Sequence, residues 1–96
     1  MTIKNYRPML RELYVELIKL ETEEEAELFL EDLCTMKELE AMSQRLKAAK
    51  MLLGGKTYNE IVEETEISSA TLARVSKCIR YGDGGYKAIL TKEGKR

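Results

Sequence analysis

Between Ser68 and Tyr81 the chain places hydroxyls first and cations after: Ser68, Ser69 and Thr71 open the stretch, Arg74, Lys77 and Arg80 follow, and no acid interrupts them. Ala70 and Ala73 stand among them as small spacers. Hydroxyls, helix-terminal amides and Lys or Arg heads are the groups that clamp phosphates and set register on a duplex, while small side chains let a helix approach base edges in the major groove. Recognition of double-stranded DNA is the chemistry this stretch suits. The competing reading is an ordinary two-helix corner whose cations are solvated surface. Two helix starts, an apolar plug at the corner and a face of one sign coincide here, which favours a helix-turn-helix.

The rest of the chain assembles no catalytic or metal constellation. It has no histidine, so imidazole base catalysis and histidine ligation are absent, and the isolated Cys34 and Cys78 cannot make a zinc site alone. Both cysteines are expected to pack as small hydrophobes. Glu21, Glu27, Glu31 and Asp32 extend an acid run without the spacing of a calcium loop. Gly55-Lys56-Thr57 matches only the end of a phosphate-binding loop. No nucleophile, base and orienting group stand at a recognisable spacing, so the expected protein is no enzyme and needs no cofactor.

Positioning the cationic stretch requires two helices and a tight turn. Thr57 can accept from an orphan N–H while Glu60, three residues on, reaches back to the N–H of Thr57, a capping box that starts the first helix. Ser68 is a natural N-cap for the second, with Thr71 at its third position. Ile61 and Val62, then Leu72, Val75 and Ile79, supply inward stripes, and Ile67 plugs the corner. The helix-turn-helix is therefore expected over 56–81, with a recognition helix about 68–81.

Upstream, Tyr6, Leu10, Leu13, Tyr14, Leu17 and Leu20 form a helical stripe over 5–20. Thr22 to Glu25 repeats the capping pattern before Ala26, Phe29, Leu30 and Leu33, with Glu23, Glu24 and Glu25 at the positive end of the helix dipole. Thr35 to Glu38 opens a third helix carrying Leu39, Met42, Leu46, Ala49 and Leu53 on one face with Ala41, Ala48 and Leu52 beside it, stopping at Gly54-Gly55. Gly82 to Gly85 ends the recognition helix. Tyr86 to Leu90 reads as a last turn packing back, and 91–96 as a fraying tail. The expected class is all-α, a small bundle of five to six helices. Its organisation is a dimerisation core over 1–55, the helix-turn-helix over 56–81 and a packing segment over 82–90.

With 96 residues the chain makes one domain, short enough that sharing a core with a second copy is an easy route to stability. A homodimer is expected. Overall charge is −1, but residues 1–67 carry nine Lys/Arg against fifteen Asp/Glu, net −6, and residues 68–96 seven against two, net +5. That asymmetry would turn the basic end toward a polyanion. No charged-then-apolar leader opens the sequence and no aliphatic run approaches a membrane span, so a cytoplasmic protein without membrane contact is expected.

From Leu33-Cys-Thr-Met-Lys-Glu-Leu-Glu-Ala-Met-Ser-Gln-Arg45 through the helix-turn-helix to about residue 90, the chain resembles the Trp repressor superfamily, especially its small Trp-repressor-like YerC/YecD branch. The residues that carry the likeness are the Leu-x-Thr start, Arg45, Leu52 to Gly55, Ala70-Thr71-x-x-Arg74 and Gly82-Asp-Gly-Gly-Tyr86. The resemblance implies an intertwined all-helical homodimer presenting two helix-turn-helix units to successive major grooves. Carried over by position, it implies that Ser69, Ala70, Thr71 and Ala73 face bases. Asn59 falls where a base-contacting arginine can stand in the tryptophan-sensing members. Phosphate candidates from chemistry alone are Lys56, Thr57, Ser68 and Lys77.

In those sensing members two arginines sandwich an indole ring, and Arg45 and Arg74 stand at the matching places, with Thr35 at the position of a ligand-side threonine. Val75 replaces the glycine that makes room for the ring, and Cys78 replaces a serine. Arg45 and Arg74 therefore read better as surface or phosphate-contacting cations than as a working pocket. Glu66 also departs from the pattern, since many such turns carry glycine there.

The reading that results is a dimeric sequence-specific DNA-binding regulator, a repressor that occupies its operator. The alternatives are an aromatic amino acid-sensing repressor of the same fold, or a protein-interaction module that docks through the acids of 21–32.

Overall fold

Three of the expected helix starts reappear as hydrogen-bonded caps in the computed structural model, which describes residues 7–92. The described residues form six α-helices and no strand: α1 Arg7–Leu17, α2 Glu23–Leu33, α3 Met36–Leu53, α4 Tyr58–Thr65, α5 Ser69–Tyr81 and α6 Gly85–Leu90. The class is all-α, as the periodicity indicates. Backbone contacts divide the chain into two units, residues 1–36 and 37–96, so that α3 groups with the helix-turn-helix.

In the first unit, no residue of α1 or α2 is buried. Leu10, Leu13, Leu17 and Leu20 are half-buried, as are Ala26, Phe29 and Leu30. Tyr14 and Leu33, expected on the inward stripes, are instead exposed, and Ile18 is 81% exposed. Tyr6 lies outside the described residues. Thr22 caps α2 by accepting from the N–H of Glu25, but Glu25 Oε1 accepts from Glu21, 2.9 Å away, so the reciprocal bond lands one residue earlier than a capping box puts it.

In the second unit, α3 ends as its glycines suggest. Lys56 N–H reaches Met51 O at 3.0 Å and Gly55 N–H reaches Leu52 O at 3.0 Å, with Gly55 at φ 89. This is a Schellman ending, which needs a residue at home in the left-handed region. The core is small: Ala48, Ile61, Ile67 and Leu72 cluster, with Met51 and Leu52 packed against them, and Ala49, Val75 and Ser76 are buried as well.

Three apolar assignments change. Met42 and Leu46 on α3 are exposed, because they lie on the side of the helix turned away from Gln44 and Ala48, the residues that meet α4. Val62 is exposed because the inward positions of α4 are Ile61 and, one turn on, half-buried Thr65. Buried Ser76 was not anticipated, although it lies four residues from Leu72 on the same stripe.

Candidate nucleic-acid interface

The first turn of α4 is closed by its own side chains. Thr57 Oγ1 accepts from Glu60 N–H at 3.2 Å while Glu60 Oε1 accepts from Thr57 N–H at 2.8 Å and from its hydroxyl at 3.2 Å. The backbone N–H of Thr57, then its hydroxyl, hold the Glu60 carboxyl below its ordinary value, with a small contribution from Lys56. At the other end Glu66 stands at φ 62, ψ 19, and its N–H reaches Val62 O at 2.8 Å. The turn thus keeps the left-handed geometry that glycine usually supplies, carried here by a glutamate.

The second helix starts two residues later. Ser68 Oγ accepts from Thr71 N–H at 3.1 Å and donates to Thr71 Oγ1 at 2.9 Å, fixing the first turn of α5. Ile67, Leu72 and Val75 bury the inner side of this corner. The opposite side of α5 carries Ser69, Ala70, Ala73, Lys77 and Arg80, all exposed, with exposed Arg74 on its shoulder and Thr71 half-buried. Among the described residues no carboxylate lies within ion-pair distance of Arg74, Lys77 or Arg80. Lys56, Thr57 and Asn59 are exposed at the start of α4. Tyr81, read from sequence only as the helix end, is 76% exposed one turn beyond Lys77 on the same outer side.

Four of the five residues of the suspected ligand pocket line one cleft of about 390 Å³: Arg45 from α3 and Arg74, Val75 and Cys78 from α5, joined by Thr71 and by Tyr86 from α6. Thr35 is not among its lining residues. Val75 is buried and forms a wall. Cys78 is exposed rather than packed as a hydrophobe, because it sits beside Arg74 on the flank of α5 that opens into this cleft; Cys34 is half-buried. Tyr86 was not expected here, and its position depends on the turn before α6. Gly82 makes that turn: a Cβ there would collide with the Cys78 carbonyl oxygen, and Gly84 follows at φ 90.

Among the described residues no group of three or more Cys, Asp or Glu side chains is placed to hold a metal ion, and no helix is long and apolar enough to cross a membrane.

Comparison with known proteins gives the same answer three ways. The family model for the Trp repressor protein matches residues 9–94. The uncharacterized protein YerC of Bacillus subtilis (strain 168) is 40% identical over 83 residues, 86% of this chain and 80% of its own length. Two crystal structures superpose closely. One, from Staphylococcus aureus and provisionally assigned as a Trp repressor, has a TM-score of 0.87 at 40% identity, covering 95% of this chain and 92% of its own. The other, a TrpR-like protein from Eubacterium eligens ATCC 27750, has a TM-score of 0.83 at 36% identity, covering 92% of this chain and 94% of its own.

Proposed function

Since the chain belongs to the Trp repressor protein family, in its YerC-like branch, we propose that it is a sequence-specific DNA-binding transcriptional regulator, a repressor that acts as a homodimer by occupying operator DNA. The observation that carries this reading is the outer side of α5, where Arg74, Lys77 and Arg80 stand exposed with no acid between Ser68 and Tyr81. In this reading α5 enters the major groove. Ser69, Ala70, Thr71 and Ala73 face bases, Asn59 reaches the same groove from α4, and Lys56, Thr57, Ser68, Arg74 and Lys77 hold phosphates. Thr57 gives its N–H and hydroxyl to Glu60 in the free chain, so its hydroxyl would turn from Glu60 to hold a phosphate, and Lys56 brings the charge at that end.

The dimer rests on the first unit. Its helices bury no residue of their own, and Met9, Tyr14, Val15, Ile18, Leu28 and Leu33 are exposed. A second copy would cover these side chains. Two-fold symmetry then sets the half-sites one helical turn apart, on the order of 34–36 Å, in a near-palindromic operator. Selection of random duplexes by the purified protein, followed by sequencing, tests this. Enrichment of such a palindrome supports the reading, and an unenriched pool rejects it.

A second reading has one observation in its favour, the cleft between Arg45 and Arg74. An aromatic amino acid seated there would tune the same DNA binding, although Val75 stands where the sensing members leave space. Calorimetry with tryptophan and related indoles decides it: a saturable heat supports an effector, and a flat titration removes it.

A further inference from the structure

One side chain outside the groove-facing set joins α3 to the turn of the helix-turn-helix. Gln44 Nε2 donates to the carbonyl oxygen of Thr65 at 3.1 Å, a partly buried bond between residues 21 apart in sequence. Thr65 is the last residue of α4, and its carbonyl is one of those that a helix end leaves without an intrahelical partner. The Thr65 hydroxyl is engaged on both sides, donating to Ile61 O at 2.7 Å and accepting from Ile67 N–H at 3.2 Å. Thr65 is thus a junction where α3, α4 and the residue leading into α5 are bonded together. One turn further along α3, Lys47 pairs with Glu64 at 3.4 Å, but both side chains are more than half exposed and such a pair holds little.

The apolar cluster of Ala48, Ile61, Ile67 and Leu72 holds the corner by burial, which has no preferred direction. A hydrogen bond does have one, and weakens steeply when bent. The bonds of the Thr65 hydroxyl stay within α4 and the turn, whereas the bond from Gln44 ties that turn to α3.

Resting on the DNA-binding reading, we infer that Gln44 is a positioning residue for the recognition helix: its amide, bonded to the Thr65 carbonyl, fixes the angle of α5 and so tunes which sequence is preferred, without touching DNA. A contact of this kind acts on selected sequence more than on charge. Loss of the donor leaves every phosphate-binding cation in place, so binding to unrelated DNA and its salt dependence stay as they are, while the fit of α5 to its operator loosens.

The test compares the full-length chain with Gln44→Met, of similar length without a donor, and Gln44→Lys, which restores one. Each is titrated with the duplex selected by the wild type and with an unrelated duplex, and thermal unfolding is recorded alongside. Gln44→Met is expected to weaken operator binding about ten-fold, with unrelated-duplex affinity and salt slope nearly unchanged beside a fall in melting temperature no larger than the loss of one hydrogen bond gives. Gln44→Lys is expected to regain most of the operator affinity in excess of any gain on the unrelated duplex. Equal operator affinity for wild type and Gln44→Met overturns the inference alone. So does a parallel loss on both duplexes with a fall in melting temperature, which is what a purely structural role gives. If Gln44→Met fails to fold, Gln44→Lys still decides: a folded Lys variant without operator preference overturns the inference. A wild type indifferent to every duplex overturns it together with the reading on which it rests.

Discussion

Thr57 and Glu60 close a ring at the start of α4: the Glu60 carboxylate accepts the Thr57 N–H at 2.8 Å and Thr57 Oγ1 accepts the Glu60 N–H at 3.2 Å. The bonds favour the ionised carboxylate, so its folded-state value lies below the ordinary 4.5. A group so lowered stabilises the fold fully above the unfolded value and loses that contribution as pH falls through the folded one. Glu60→Gln is therefore expected to lower stability at neutral pH and to flatten the part of the acid-unfolding curve below about pH 4.5 that this carboxyl contributes, as followed by circular dichroism.

Ser68 does for α5 what Thr57 does for α4. Ser68→Ala removes the acceptor of the Thr71 N–H and is expected to cost about 1 kcal/mol, visible as a lower denaturant midpoint with unchanged slope. Ser68→Asp, which keeps an acceptor, should hold the stability and weaken DNA binding by adding an anion at the groove.

The strain at Glu66 is measurable. A residue with a Cβ at φ 62 is disfavoured there, and glycine is not. Glu66→Gly is expected to raise stability by roughly 0.5 kcal/mol, the relief of strain exceeding the greater freedom of glycine in the unfolded chain. The same change removes an acid from the DNA-facing corner, so affinity for all duplexes should rise at low salt.

In the proposed reading, charge and sequence choice separate on α5. Lys77→Ala is expected to weaken operator and unrelated duplexes alike and to lower the salt slope by about one per site, whereas Ala73→Leu should change which sequence is selected with the slope intact. Loss of preference from Lys77→Ala would place that side chain on a base edge instead.

Local chemistry was what the sequence made legible. The caps at Thr57 and Ser68, the glycine stop of α3 and the plug at Ile67 each depend on residues a few positions apart, and each stands where spacing put it. What period could not tell was how far a stripe stays covered. Met42 and Leu46 lie on a helical face yet open to solvent because α4 meets the other side of α3, through Gln44 and Ala48, and Val62 yields the inward place to Thr65. The cleft was half legible: Arg45, Arg74, Val75 and Cys78 meet there, but Tyr86 arrives through the turn at Gly82 to Gly84, a tertiary placement that no spacing within α6 encodes. Gln44 was missed for the same reason, since its partner is a main-chain carbonyl on another helix.

Binding of the purified chain to the selected duplex, followed by fluorescence anisotropy from about 50 to 200 mM salt, tests the role of α5 most directly. With Lys56, Arg74 and Lys77 from each of two subunits on phosphates, the association constant is expected to fall about 10³-fold over that range, along a straight line in log–log form. A chain that leaves the duplex free at the lowest salt, or binds it with no salt dependence, contradicts the account.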